Sequence, residues 1–98
     1  MRFARNVQFK IKNGKEQEFN GLFEKDVLPL LRKQEGFREE LTMVNPRGAH
    51  AISLWDDRKS AEAYQTTGYP QVLAKLTPVI EGTPTVEIYE TATSYARS

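Results

Sequence analysis

The stretch Ala49–Asp56, which reads AHAISLWD, decides how the rest of this 98-residue chain is arranged. Bulky and small side chains alternate along it with a period of two, as they do in a β-strand that is covered on both faces. Ile52 and Leu54 point to one face, and the small residues together with Trp55 point to the other. The pattern predicts the central strand of a small sheet, with Trp55 in the wall of a cavity.

Periodicity on either side of this stretch predicts three further strands and three helical segments. Pro29 interrupts the first helix, so a kink or break is expected near Lys25–Pro29. Gly36 is expected as the left-handed residue that ends this helix. The predicted strands are Phe3–Ile11, Phe37–Asn45 and Thr85–Thr91; the helices are Lys15–Gln34, Asp56–Thr67 and one that begins at Tyr69; the loop is Glu81–Pro84 and the polar tail is Ala92–Ser98.

The order strand, helix, strand, strand, helix, strand predicts one α+β domain over residues 1–98 with ferredoxin-like βαββαβ topology. Its four-stranded antiparallel sheet is expected to carry both helical regions on one face. Alternation assigns Val7, Phe9, Ile52, Leu54, Val86 and Ile88 to that face. It assigns Ala4, Asn6, Thr42, Val44, Ala51, Ser53, Trp55 and Tyr89 to the opposite face. That second set is too apolar to stay in water, so a second copy is expected to cover it and to leave a pocket.

Composition excludes several classes of function. The net charge is +1, which gives no basic surface for nucleic acid or for acidic membranes, and the absence of cysteine excludes disulfides and thiol catalysis. No apolar run has the length of a bilayer span, and the charged start of the chain has no signal-peptide core, so a cytoplasmic protein is expected. No phosphate-binding loop or metal-ligand spacing is present, so neither a metal nor a cofactor is expected.

Four segments make the chain similar to the antibiotic biosynthesis monooxygenase family of the dimeric α+β barrel superfamily. The segments are Lys12–Glu16, Pro29–Leu31 with Glu35–Phe37, Leu54–Asp56 with Ala61–Tyr64, and Thr85–Tyr89. The resemblance implies a homodimer whose sheets form a barrel, with a small-molecule pocket in each protomer. Some members oxygenate phenolic or quinol-type compounds without metal or flavin. A haem-degrading branch has an Asn and a Trp that Asn6 and Trp55 match, but the histidine that would bind iron has no counterpart here.

Asn6 and Trp55 are the candidate catalytic residues. Trp55 offers a flat wall on which an aromatic ring can stack, and Asn6 offers a donor together with an acceptor. The alternatives are that Trp55 fills the core and that Asn6 is a satisfied amide at a dimer interface.

His50 and Glu40 are the candidate proton acceptors. Histidine is a common general base in proteins, and Glu40 carries a carboxylate on the predicted barrel face. The alternatives are an exposed or structural His50 and a Glu40 that pairs with Arg38 or Arg5. The candidate substrate-binding residues are Ser53, Tyr64, Tyr69 and Tyr89. The alternative for Tyr64 and Tyr69 is that they are packing residues of an amphipathic helix.

The family resemblance, taken with these residues, implies a cofactor-independent monooxygenase that would hold a small electron-rich aromatic compound, of the quinol or polyphenol type, against Trp55. The alternative is a non-catalytic small-molecule-binding or interaction domain with the same dimeric barrel. A pocket lined by Asn6, Ser53 and Trp55 favours the enzyme, whereas a pocket filled by Trp55 packing on Tyr89 favours the alternative.

Overall fold

A computed structural model describes residues 2–95 and 97, so Met1 and two residues of the predicted tail, Ala96 and Ser98, lie outside the described residues. The strands are β1 (Phe3–Ile11), β2 (Phe37–Asn45), β3 (Gly48–Trp55) and β4 (Ile80–Glu90), and the helices are α1 (Glu16–Leu22), α2 (Leu28–Arg32), α3 (Arg58–Thr66) and α4 (Tyr69–Leu76). The strands form one antiparallel sheet in the order β2-β3-β1-β4, with the helices packed on one face. The predicted α+β, ferredoxin-like architecture is confirmed.

The predicted disturbance around Pro29 is a π-turn, Phe23–Val27, which joins α1 to α2. Proline has no N–H to donate to the carbonyl four residues earlier, and the N–H of Leu28 instead reaches the carbonyl of Phe23. The wider turn keeps Phe23 and Val27 buried on the same side.

β4 starts earlier than predicted, and the prediction of a loop at residues 81–84 is wrong. Ile80 pairs with Ile11 and Glu81 pairs with Lys10, and an irregularity in the ladder follows at once. Gly82 has a φ of 64°. Glycine adopts this backbone conformation freely, so a sequence that is typical of a loop is accommodated beside a bulged strand.

The two faces of β3 are the reverse of those predicted. The small residues and Trp55 lie opposite helix-facing residues of β1, in the pairs Val7–Ala51, Arg5–Ser53 and Phe3–Trp55. Asn6 lies opposite Ile52. The assignment of Ile52 and Leu54 to the helices is therefore wrong, and Asn6 and Trp55 lie on opposite faces of the sheet. Alternation separates the two faces of a strand, but it does not say which of them meets the helices.

The side-chain directions predicted for β2 are also wrong, because β2 contains a β-bulge at Arg38. The register shifts between Phe37 and Glu39, so Phe37 and Glu40 point to the same, helix-facing side. Thr42 follows Glu40 on that side, opposite Ala51, and Val44 lies there too, rather than on the outer face as predicted. An extra residue in one strand reverses every alternation beyond it.

The sheet face that points away from the helices is called the open face below. Its exposed apolar side chains are Leu41, Met43 and Tyr89, which are 55%, 44% and 48% exposed. Seven further residues belong to the open face: Ala4, Asn6, Gln8, His50, Ile52, Leu54 and Glu87. Among residues 2–95 and 97, no helix has the length and apolar character that crossing a bilayer requires.

Candidate active site

A cavity of about 40 Å³ lies between the helix-facing side of the sheet and the helices. One buried water needs roughly 10–15 Å³, so the cavity has room for a few water-sized groups. Most of its wall is apolar and comes from β1, the π-turn, α2 and α4; its main members are Val7, Phe9, Phe23, Val27, Leu31, Val72 and Leu76. Its polar members are Arg5, Glu40, Ser53, Tyr64 and Tyr69. A few polar side chains within a mostly apolar wall are the usual lining of a small-molecule site.

Three of the polar residues form one row across the sheet. Glu40 of β2 lies opposite Ser53 of β3, which lies opposite Arg5 of β1. Adjacent strands are about 4.8 Å apart, so the backbones of Glu40 and Arg5 are roughly 10 Å apart with a small serine between them. The ion pairs found within residues 2–95 and 97 do not include one between these two side chains. A carboxyl group and a guanidinium group therefore line one cavity without forming an ion pair with each other.

Arg5 is the functional candidate that the sequence reasoning missed. It is 1% exposed, and its guanidinium carbon lies 4.8 Å from the ring centroid of Tyr64 and 4.6 Å from that of Tyr69. Its Nη2 donates to Oε1 of Gln65, whereas its Nε has no hydrogen-bond partner. Burial lowers the pKa of Arg5 from its ordinary value. The signal in the sequence is a charged residue in the middle of an otherwise apolar strand face.

Glu40 carries a carboxyl group that titrates near neutral pH. Burial raises the pKa of Glu40 to about 7, while the hydrogen bond from Thr42 and the positive charge of Arg5 act in the opposite direction. The hydroxyl of Thr42 donates to Oε2 of Glu40 over 3.0 Å. Arg38, one of the predicted partners of Glu40, pairs with Asp56 instead. A carboxyl group with a pKa near the working pH can both accept and return a proton.

The rings of Tyr64 and Tyr69 both contact the guanidinium of Arg5, and their centroids lie 6.1 Å apart. Burial raises the pKa of both phenols, so they stay protonated at neutral pH. Gly68 precedes α4, and a Cβ at this position would lie 2.7 Å from Cε1 of Tyr64. Glycine is therefore required for α3 and α4 to meet closely enough to bring the two rings to one arginine.

Trp55 supports the cavity wall from behind. It is fully buried at 0% exposure, its Nε1 donates to Oγ of Ser53 over 2.8 Å, and its ring centroid lies 4.9 Å from that of Tyr64. Phe37 packs edge-on against the indole at 5.6 Å. Because the single indole donor is already used within the chain, Trp55 positions Ser53 and Tyr64.

The structure separates the remaining predicted site residues from this cavity. Asn6, His50 and Tyr89 lie on the open face, where Nδ1 of His50 is 3.1 Å from Oδ1 of Asn6. The shared pocket predicted for Asn6 and Trp55 is therefore wrong, because the sheet lies between the two side chains. Packing of Trp55 on Tyr89 is excluded for the same reason.

An outer groove of about 240 Å³ runs along β2 beside α1 and the π-turn. It shares Phe23 and Glu40 with the cavity, so these two side chains form the partition between the cavity and the groove. Glu24 also lines this groove. A ligand that comes from the groove meets Glu40 at this partition.

Replacing Arg5 with methionine is expected to raise the free energy of unfolding by about 1–2 kcal/mol, because removal of a poorly paired buried charge in favour of an apolar side chain is often stabilising. Gln65, which is half-buried, can turn to water when its donor is lost. Urea unfolding followed by Trp55 fluorescence measures the change. The matched control is Arg2→Met, an exposed arginine next to the same strand, which should change stability by less than about 0.5 kcal/mol. A variant at Arg5 that is less stable than the parent protein would contradict this interpretation.

The chain matches no protein-family model and no curated protein sequence. Its fold is nevertheless the fold of structures that are named antibiotic biosynthesis monooxygenases. One of them, a candidate antibiotic biosynthesis monooxygenase of Nitrosomonas europaea, is 15% identical over 93% of this chain and 90% of that chain, with a TM-score of 0.74.

Two further structures with this fold are oxygenases from Streptomyces. The cofactor-independent oxygenase SnoaB of Streptomyces nogalater is 14% identical over 98% of both chains, with a TM-score of 0.78. The monooxygenase ActVA-Orf6 of Streptomyces coelicolor, solved with the ligand nanaomycin D, is 14% identical over 98% of this chain and 92% of that chain, with a TM-score of 0.77. At such identities the likeness establishes the fold, and it confirms the fold that the family resemblance implied.

Proposed function

We propose that this protein is a cofactor-independent monooxygenase that acts on a small electron-rich aromatic compound of the quinol or polyphenol type. The observation that carries the proposal is the cavity between the sheet and the helices in which Glu40 and Arg5 lie on either side of Ser53. The fold shared with SnoaB and ActVA-Orf6, the first named a cofactor-independent oxygenase and the second a monooxygenase solved with the ligand nanaomycin D, supports it.

In this mechanism Glu40 accepts the proton of a substrate hydroxyl, and the positive charge of Arg5 stabilises the anion that forms. The electron-rich anion then reduces dioxygen directly. One oxygen atom becomes a carbonyl oxygen of the product, and the other leaves as water with the hydroxyl hydrogen and one ring hydrogen. The protein supplies orientation, a cavity with a mostly apolar wall and a proton acceptor.

Ser53, Tyr64 and Tyr69 are proposed to contact the substrate, and Trp55 is proposed to hold them in place. Asn6, His50 and Tyr89 are proposed to act at an interface between subunits, since they lie across the sheet from the cavity. This assignment replaces the pairing of Asn6 with Trp55 that the sequence predicted.

Oxygen uptake with a panel of quinols and polyphenols tests the proposal. At least one compound should support uptake above the rate without protein, and the rate should fall in the Glu40→Gln variant. Glu39→Gln is the matched control, because Glu39 is the preceding residue and is exposed. If no compound supports uptake above the rate without protein, the enzymatic proposal is wrong.

A second candidate function is non-catalytic binding of a small molecule, favoured by the small size of the cavity, about 40 Å³, and by the use of the Trp55 donor within the chain. Saturable binding of an aromatic compound without oxygen uptake by any member of the panel would select this function over the enzymatic one.

We further propose that two copies associate through the open face to form a homodimer. Leu41 and Met43 of β2 and Tyr89 of β4 are exposed there, on the side that no helix covers. Burial of such side chains favours association at about 25 cal/mol per Å² of apolar surface. A second copy offers the same apolar strip, and a symmetric interface needs only one such surface.

Replacing Leu41 with glutamate is expected to weaken this dimer about 100-fold or more, because it introduces an unpaired charge in each copy at the interface. Sedimentation equilibrium measures the dissociation constant. Val44→Glu is the matched control: Val44 lies on the same strand and is 51% exposed, but it points to the helix side, so the dimer should persist. An unchanged dimer in the Leu41 variant would rule out this interface.

A further inference from the structure

We propose that Phe23 limits the size of the ligand that this protein accepts, because its side chain separates the cavity from the outer groove. A smaller apolar residue at this position would join the two spaces and admit a ligand of two fused rings. The proposal rests on the proposed function only for the region in which the ligand lies. It goes further because it assigns selection by size to a side chain that takes no part in the proton transfer.

The space available to a ligand is divided into two unequal parts. The cavity has a volume of about 40 Å³, and the outer groove has a volume of about 240 Å³. An engineered cavity of roughly 150 Å³ binds benzene, and small-molecule pockets in general have about 300–1,000 Å³. The cavity alone therefore has less room than an aromatic ring needs, whereas the cavity and the groove together approach the lower end of the usual range.

Two side chains form the partition between these spaces. Of the described residues, Phe23 and Glu40 line both the cavity and the groove. The hydroxyl of Thr42 donates to Oε2 of Glu40 over 3.0 Å, so a hydrogen bond holds the carboxyl side of the partition in place. The ring of Phe23 has no polar atom and is held by packing alone. Phe23 is therefore the part of the partition whose size can be changed without removing a charge or a hydrogen bond.

Three phenylalanine rings form a continuous apolar wall from the cavity to the groove. Phe23 begins the π-turn and is 8% exposed, and its ring centroid lies 5.5 Å from that of Phe19. The centroid of Phe19 lies 5.4 Å from that of Phe9. Phe9 lines the cavity and Phe19 lines the groove. Such a wall favours a flat aromatic ligand that extends along it, and the ring of Phe23 stands where the second ring of that ligand would lie.

Titration calorimetry with phenol and 2-naphthol tests the proposal. The two compounds carry the same hydroxyl group and differ by one fused ring, so the ratio of their affinities reports on size. Phe23→Leu shortens the partition and keeps it apolar. This variant should increase the affinity for 2-naphthol relative to phenol by about 10- to 100-fold, the range over which fit in an apolar pocket discriminates between ligands. Phe23→Met is a second variant that should change the ratio in the same direction.

Phe19→Leu is the matched control, because it makes the same substitution in the neighbouring ring of the same wall. Phe19 is 1% exposed and lines the groove without lining the cavity, so its replacement does not join the two spaces. The affinity ratio should stay close to the wild-type value, and urea unfolding verifies that each variant is folded. The proposal is overturned if the Phe23 variants leave the ratio unchanged or bind neither compound, or if Phe19→Leu raises the ratio by the same factor.

Nuclear magnetic resonance of the Val44 methyl groups locates the second ring. Val44 lines the groove but not the cavity. In the Phe23→Leu protein its methyl signals should shift more strongly with 2-naphthol than with phenol, and equal shifts would contradict the proposal. Both measurements are made without oxygen. A failure of the oxygen-uptake assay therefore leaves the size limit intact, and an unchanged affinity ratio removes the size limit without deciding whether the protein is an oxygenase.

Discussion

Replacing Glu40 with glutamine is expected to lower kcat/KM for oxygen uptake by about 100- to 10,000-fold, the usual contribution of a positioned general base. Glutamine keeps the size of the side chain and its hydrogen bond with Thr42, but it cannot accept a proton. The wild-type rate should rise as pH increases through about 7, because burial raises the pKa of Glu40 to about 7 and only the ionised form acts as a base. The variant should lose this dependence.

Measuring stability distinguishes a loss of activity in Glu40→Gln from unfolding of the variant. The folded-state pKa of Glu40 is raised above its ordinary value of 4.5, so ionisation of Glu40 favours the unfolded state. The wild-type protein should therefore lose stability as pH rises from about 4.5 through 7, by roughly 3 kcal/mol at most. Glu40→Gln should not show this loss and should be the more stable protein at pH 8. A variant that retains the wild-type rate and pH profile would show that Glu40 is not the base.

Replacing Trp55 with alanine is expected to reduce the free energy of unfolding by about 3–5 kcal/mol, a large part of the stability of a small domain. The indole is fully buried, donates to Ser53 and packs against Tyr64. Denaturant unfolding followed by far-UV circular dichroism measures the loss, since the variant has no tryptophan fluorescence.

A conservative variant distinguishes packing from chemistry at the same position. Trp55→Phe should cost only about 1–2 kcal/mol and should keep oxygen uptake within about threefold, because the wall behind Tyr64 is preserved. Tyr89→Ala is the control for loss of an aromatic ring on the open face, and monomer stability should change little. A large loss of activity in a folded Trp55→Phe protein would instead give the indole a direct role.

The sequence predicted the elements and topology well because they depend on local patterns. Alternation along Ala49–Asp56 defined β3, Pro29 marked the π-turn, and Gly36 ended the first helical region with a φ of 81°. Each signal acts within a few residues. Their order along the chain then leaves few topologies to consider.

The faces of the sheet were harder to predict because they depend on contacts between distant residues. Whether Trp55 or Leu54 meets the helices depends on which face of β3 fits the space beneath α3 and α4. The bulge at Arg38 has no sequence signal of its own.

The candidate site was predicted in part. Ser53, Glu40, Tyr64 and Tyr69 meet at one cavity, whereas Asn6 does not. Arg5 was considered only as a possible partner of Glu40, because the sequence alone does not show that its side chain is buried. Its burial becomes clear only when Tyr64 and Tyr69 are placed against it, and these lie about 60 residues away.

Nuclear magnetic resonance gives the most direct test of the claim that the ligand binds between the sheet and the helices. The chain has one tryptophan and one histidine, and they lie on opposite faces of the sheet. The indole N–H of Trp55 and the ring protons of His50 therefore report on the two faces without ambiguity. During titration with 4-nitrophenol, the Trp55 signal should shift in a saturable way while the His50 signals stay in place. Shifts at His50 with an unchanged Trp55 signal would move the ligand to the open face and contradict the cavity as its site.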